Sequence, residues 1–205
     1  MTASAVLDDR GEETAPRIDA LPPDESRGTM GMKLVIVTEA LLFLTLFFAY
    51  FYIGHRHPIW PDEPPKLRLA LALLAILLVS SGTLQLSEQL LGKGRRLAAR
   101  LLLLLTLVLG LGFVALQTLE YRNHLRELRP TDDVYGSLFY VITSFHGLHV
   151  VAGLLMLGFV AVLPSLTPSH SPHRPLHNAA LYWHFVDVIW ILVVGILYLL
   201  PRWVR

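Results

Sequence analysis

The chain contains no cysteine, and this one absence removes disulfides, thiolate catalysis, iron–sulfur clusters and cysteine-bound zinc. Charge is also scarce. Charged residues make up 16% of the chain and the formal net charge is +1. With no basic stripe and interleaved aromatics, a nucleic-acid partner is set aside. No apolar region of about 7–15 residues with a small-residue cleavage site precedes the first long apolar run, so no cleaved signal peptide is expected. The His-Glu-x-x-His zinc pattern is missing, and no internal repeat is visible. The paired Glu-x-x-His motif of di-iron bundles is missing too, because Glu120 and His124 stand four apart.

What the chain has in quantity is apolar surface: 54% of its residues are hydrophobic and its mean hydropathy is +0.53. A hydrocarbon core about 30 Å thick needs about 20 mostly apolar residues per helix. Five runs reach that length, over Met30 to Ile53, Leu67 to Leu91, Leu97 to Tyr121, Tyr135 to Leu163 and His177 to Leu200. Each run is continuous where a barrel strand would alternate, so the expected fold is all-α, a polytopic membrane bundle of five transmembrane helices. Residues 1–29 read as a flexible polar N-terminal tail, acidic overall and broken by Pro16, Pro22 and Pro23, and residues 30–205 as the five-helix transmembrane domain. The Lys and Arg totals on the two sides nearly balance. The Gly92 to Arg96 turn decides orientation, because Lys93, Arg95, Arg96 and nearby Arg100 have no acid among them. That density places the N-terminus and this turn in the cytoplasm and the C-terminus outside.

Two late segments put ionisable groups inside these apolar runs: Phe145-His146-Gly147-Leu148-His149-Val150 and Tyr182-Trp183-His184-Phe185-Val186-Asp187. A titratable group at membrane depth costs a few kcal/mol or more, so it faces protein interior and marks function. Glu39 joins them, about 12–14 Å along the first helix at about 1.5 Å per residue, as does Glu120 at the end of the third. Beyond Lys33 no basic residue lies within two turns of Glu39, so its charge needs His184 or another group to offset it. It is either a proton-exchanging group or a polar knot. Gln117, Glu120, Tyr121 and His124 share one helix face.

Two readings of the histidines stay open. His146 and His149, with His184 from another helix, have the residue type for a metal or haem site. Alternatively they bond to carboxylates and carbonyls across helices, with Gly147 and Gly153 allowing close backbone approach. The tryptophans read as interfacial or packing aromatics, and His170, His173 and His177 as facing water beside a Pro-rich loop.

In order, Thr38-Glu39-Ala40, Gln117-Thr118-Leu119-Glu120-Tyr121, Asp133-Val134-Tyr135-Gly136-Ser137, Phe145-His146-Gly147-Leu148-His149-Val150 and Tyr182-Trp183-His184-Phe185-Val186-Asp187 carry a resemblance. The chain from Met30 onward resembles subunit III of the haem–copper cytochrome c oxidases. The resemblance implies a core subunit with no catalytic centre in a proton-pumping oxidoreductase of the bacterial plasma membrane. It implies no cofactor in this chain, haem and copper in partner subunits, and a place for structural phospholipid. Subunit I is the implied main partner, with subunit II in the same complex and cytochrome c or quinol as electron donor. Proton uptake and protection of the catalytic site during oxygen reduction are the implied roles. Glu39 matches the family's membrane-embedded, carbodiimide-reactive carboxylate. Gln117, Glu120, His146, His149, His184 and Asp187 fall in its signature helices as a polar interhelical network.

Many relatives of that kind have seven helices, and the five here correspond to the last five. The missing two would then come from elsewhere, for instance from subunit I. Quinol oxidase subunit III and the accessory protein of nitric oxide reductase share the five-helix plan. Glu39 and the Gln117–Tyr121 motif favour the cytochrome c branch. A small proton-coupled transporter is the reading from a different class, although no inverted repeat or Gly/Pro-broken helix pair supports it.

Overall fold

The computed structural model describes residues 24–56, 67–124, 134–166 and 173–203, and the tail expected over residues 1–29 lies largely outside them. Five long helices follow one another: α1 (Asp24–Gly54), α2 (Leu67–Gly92), α3 (Arg96–His124), α4 (Val134–Leu166) and α5 (His173–Val193). The chain then continues through a π-helical stretch, Val194–Leu199, into a short α6 (Leu200–Trp203). Five segments are long and apolar enough to cross a membrane: Gly28–Gly54, Leu67–Gly92, Arg96–Leu119, Val134–Val162 and Arg174–Arg202. These are the five runs expected. The first helix begins at Asp24, earlier than the apolar pattern alone indicates, because helix propagation does not require apolar residues once a turn has formed.

Lipid is as apolar as leucine, so packing contacts and polar bonds, rather than burial from water, hold such helices together. On α2 the buried residues are Ala70, Leu73, Leu77, Ser80, Leu84 and Ser87, a strict alternation of threes and fours that forms one seam. That seam packs most extensively on α3. Hydroxyl groups rivet it: Ser87 Oγ donates to Ala99 O at 2.7 Å, Thr83 and Thr106 share a bond of 2.8 Å, and Thr106 also donates to Leu102 O at 3.0 Å. The α2–α3 turn is tight enough to need Gly94, which takes φ +76°. Gly94 N–H donates to Leu91 O and Arg95 N–H to Leu90 O, the paired bonds of a Schellman cap.

The π-helical stretch has a local cause. Pro201 has no N–H for Leu197 O, one α-turn earlier, and the buried Tyr135 hydroxyl donates to that carbonyl instead at 3.1 Å. The start of α4 is thereby tied to the end of α5. Packed against α2, α4 and α1, α5 is the most enclosed span, with half of its apolar window buried, while α1 is the least enclosed at 17%.

Candidate functional site

Trp183 is the pivot of the interior. Fully buried on α5, it donates Nε1–H to Ser80 Oγ on α2 at 3.1 Å. Its ring fills the space left by two glycines: a Cβ at Gly110 of α3 would stand 2.8 Å from Trp183 Cη2, and one at Gly153 of α4 2.8 Å from Cε3. Gly153 thus allows close approach as expected. Gly147 does not, since a Cβ there would meet nothing within 4 Å. Gly110, unremarked in the sequence, takes the second role.

Around this pivot the titratable groups separate onto different helix faces. His146 and His149 are three residues apart, which turns their side chains by about 60° at 3.6 residues per turn. That is enough to address different neighbours. His149 faces α1, where its Nε2 stands 2.9 Å from Glu39 Oε2, and its other nitrogen, Nδ1, is 2.7 Å from Phe145 O. Phe43 meets the imidazole edge-on at 5.0 Å and Tyr182 lies parallel at 6.5 Å. Of the two options, His184 or another group, it is the other group that meets Glu39, and His184 points to α2 and to its own helix.

The two contacts of His149 fix its proton arrangement. A carbonyl only accepts, so Nδ1 carries the hydrogen that bonds Phe145 O. The Nε2–Oε2 contact then holds one proton in either of two ways, a carboxylic O–H donating to neutral imidazole or an imidazolium N–H donating to carboxylate. Either way the pair is neutral overall, which spares the membrane interior an isolated charge. The Glu39 side chain keeps 32% exposure and His149 12%, so the pair sits at the bundle's outer surface.

His184 Nδ1 lies 2.5 Å from Ser81 Oγ and 3.7 Å from Asp187 Oδ2. His146, 1% exposed, lies elsewhere, stacked on Trp190 at 4.7 Å and edge-on to Phe113 at 5.8 Å, with no hydrogen-bond partner for either ring nitrogen. Of the three intramembrane histidines, His149 thus bonds a carboxylate across helices, as the second reading expected, and His184 bonds a serine hydroxyl instead. Gln117 is buried one turn from Phe113, also without a bonded partner. Tyr121, on the next turn, donates its hydroxyl to Thr143 Oγ1 at 2.6 Å. Glu120 and His124 fall within α3, but their side chains lie outside the described residues.

The predicted site residues therefore form three separate places: Glu39 with His149, His184 with Asp187, and His146 beside Gln117. A single layer is not formed. Among the described residues no group of three or more His, Asp or Glu is placed to hold a metal. Sequence reasoning passed over Ser80 and Ser81, whose signal was their position on the buried seam of a lipid-soluble helix. It also passed over Glu88. His177, expected to face water, lies in α5 with Nδ1 2.6 Å from Glu88 Oε1.

Residues 25–202 match the family described as Cytochrome c oxidase subunit III. A relative named Cytochrome c oxidase subunit 3 in Gallus gallus is 39% identical over 184 residues, covering 82% of this chain and 67% of its own length. One of the same name in Synechocystis is 38% identical over 177 residues, with 83% and 74% covered. A third, from Thermostichus vulcanus, is 32% identical over 194 residues and is matched over 95% of its length, against 92% of this chain.

Proposed function

The chain belongs to the cytochrome c oxidase subunit III family, an integral membrane, non-catalytic part of an oxidoreductase complex, and we propose that within that complex Glu39 and His149 take up and pass on protons. The observation that carries the reading is the pair itself. Oε2 and Nε2 stand 2.9 Å apart, and a proton moving across that contact changes no net charge. A proton arriving on one side and leaving on the other therefore avoids the cost of an uncompensated buried ion.

On this reading the subunit packs on subunit I beside subunit II in a bacterial plasma membrane. Its N-terminus is cytoplasmic and its C-terminus outside. Haem and copper belong to those partners, with cytochrome c as donor. The exposed face of α1, with Leu34, Val37, Leu41, Leu44 and Phe48, is the side that partner helices or structural phospholipid cover, while Glu39 lies on the opposite side of the helix, toward His149 of α4. Gln117, Glu120, His146, His184 and Asp187 act as supporting polar groups, and residues 1–29 as a tail apart from the transmembrane domain. The names of the relatives favour this reading over a quinol oxidase, nitric oxide reductase or transporter role.

Oxygen consumption of the whole complex across pH tests the proposal. Glu39→Gln keeps a hydrogen-bonding amide but removes the exchangeable acid. Turnover should stay close to wild type in acid, where protons are plentiful, and should fall or decay faster in alkali. A wild-type profile throughout would reduce Glu39 to a polar knot.

A further inference from the structure

The bundle has a second polar opening, remote from Glu39, at the end that carries the α2–α3 turn. A cleft of about 400 Å³ lies between the last turns of α2 and the first turns of α5. Its polar lining is Gln85, Glu88 and Gln89 from α2 and His177 and His184 from α5, with Ala180 and Leu181 as the apolar wall. On α2, Ser81, Gln85 and Glu88 follow at helical spacing, and on α5 so do His177, Leu181 and His184. The α2 stripe is polar, and the α5 stripe is polar at His177 and His184 with Leu181 between them. Leu78 and Val188 continue the two stripes away from the mouth and Leu86 lies on the neighbouring face of α2, all three exposed and apolar.

The mouth holds the Glu88–His177 contact of 2.6 Å, with His177 nearly half exposed. Its inner end is His184, bonded through Nδ1 to Ser81. Beyond it lies Asp187, whose side chain is only 6% exposed. His184 Nε2 and both Asp187 carboxyl oxygens are buried, and among the described residues none of them makes a close hydrogen bond. A buried carboxyl left that way costs a few kcal/mol. Water supplies missing partners where a site is roomy and offers polar groups, and the cleft, though largely apolar, is roomy and edged by Gln85, Glu88, Gln89, His177 and His184.

We propose that the α2–α5 cleft is a hydrated proton-entry path, leading from Glu88 and His177 at the surface to His184 and Asp187 in the interior. A proton taken up at His184 Nε2 is matched by one released from Nδ1 to Ser81 Oγ at 2.5 Å, while the Ser81 hydroxyl proton passes to the Asp187 carboxylate. The imidazole changes tautomer, and only N–H and O–H bonds form or break. Among the described residues, no other titratable side chain lines the cleft. Facing α5 elsewhere, α4's His146 stands behind the Trp190 ring, α3 presents Phe113 to that same ring, and α1's Glu39 is engaged with His149. The path goes beyond the Glu39–His149 reading and requires neither those residues nor oxygen reduction.

The lack of cysteine makes the test clean, because a single introduced thiol is unique in this chain. In the whole complex, Gln85→Cys and Leu181→Cys probe the cleft, and Leu78→Cys and Val188→Cys probe the exposed apolar positions beyond it on the same two helices. A membrane-impermeant cationic thiosulfonate is applied and the modified peptides are read by mass spectrometry. Thiolate is the reacting form, so hydrated positions should label about tenfold faster or more than lipid-facing ones. Labelled Gln85→Cys then serves as a plug. Hydrogen–deuterium exchange of the Asp187 carboxylic O–H, followed in the infrared and assigned by its loss in Asp187→Asn, should slow on labelling and recover when a reductant removes the adduct. Cleft thiols that label no faster than Leu78→Cys and Val188→Cys would overturn the proposal, as would an Asp187 signal that is absent or indifferent to the plug.

Discussion

Substituting Gly153 by alanine places a methyl carbon 2.8 Å from Trp183 Cε3 and 3.1 Å from Cζ3, well inside the carbon–carbon optimum of about 3.5–4.0 Å. The ring has nowhere to go. Gly110 closes its far edge, and Ser80 holds Nε1 at 3.1 Å. Overpacking of this kind costs about 1–3 kcal/mol, offset by the gain of about 0.5–1 kcal/mol that alanine brings to a helix over glycine. Gly147→Ala is the matched control on the same helix, since its methyl meets nothing within 4 Å. The helix-propensity gain is common to both variants, so their difference in unfolding free energy isolates the packing cost, about 1–3 kcal/mol in favour of Gly147→Ala. Denaturant unfolding of the detergent-solubilised protein measures it. A Trp183→Phe change, which shortens the ring, should recover part of the loss only in the Gly153→Ala background. If Gly153→Ala proves as stable as Gly147→Ala, Trp183 is not the pivot described here.

A hydrophobic carbodiimide applied to the complex should modify Glu39 ahead of Glu88 and the acids of residues 1–29, because Glu39 lies within a membrane-spanning segment and its side chain is 32% exposed, against 19% for Glu88. Peptide mapping checks this, and preferential modification of Glu88 would count against it. His184→Leu should cost about 1–3 kcal/mol, because the Ser81 hydroxyl loses its partner. Asp187→Leu should cost less, because His184 Nδ1 stands at 3.7 Å, beyond hydrogen-bond range. Equal losses in the two variants would mean that His184 and Asp187 are bonded to one another.

Five membrane-spanning helices were legible because each needs only a continuous apolar run, and the intramembrane residues Glu39, His146, His149, His184 and Asp187 stood out against those runs. Their pairing was not legible. Which of two histidines meets Glu39 depends on a 60° difference in direction between His146 and His149 and on how α1 seats against α4, and neither is written in local sequence. Serine and threonine were overlooked for a related reason. Ser80, Ser81 and Ser87 look unremarkable as residue types, and only the facing Trp183, His184 and Ala99 turn them into fastenings. The same holds for Glu88, which becomes a fastening only because His177 arrives from a distant helix. The extension of the chain through a π-helical stretch was signalled by Pro201, whose missing N–H frees the carbonyl that Tyr135 occupies.

The most direct measurement is the composition of the complex that this chain brings out of the membrane. The chain should be tagged, solubilised gently and resolved by native mass spectrometry with absorption spectroscopy and metal analysis. Membership in the oxidase predicts copurification with larger polytopic partners that carry haem and copper, while this polypeptide, once separated from them, is colourless and metal-free. Recovery of the chain alone, or with partners that lack haem and copper, would contradict the account, and so would a haem absorption band or stoichiometric copper on the separated polypeptide itself.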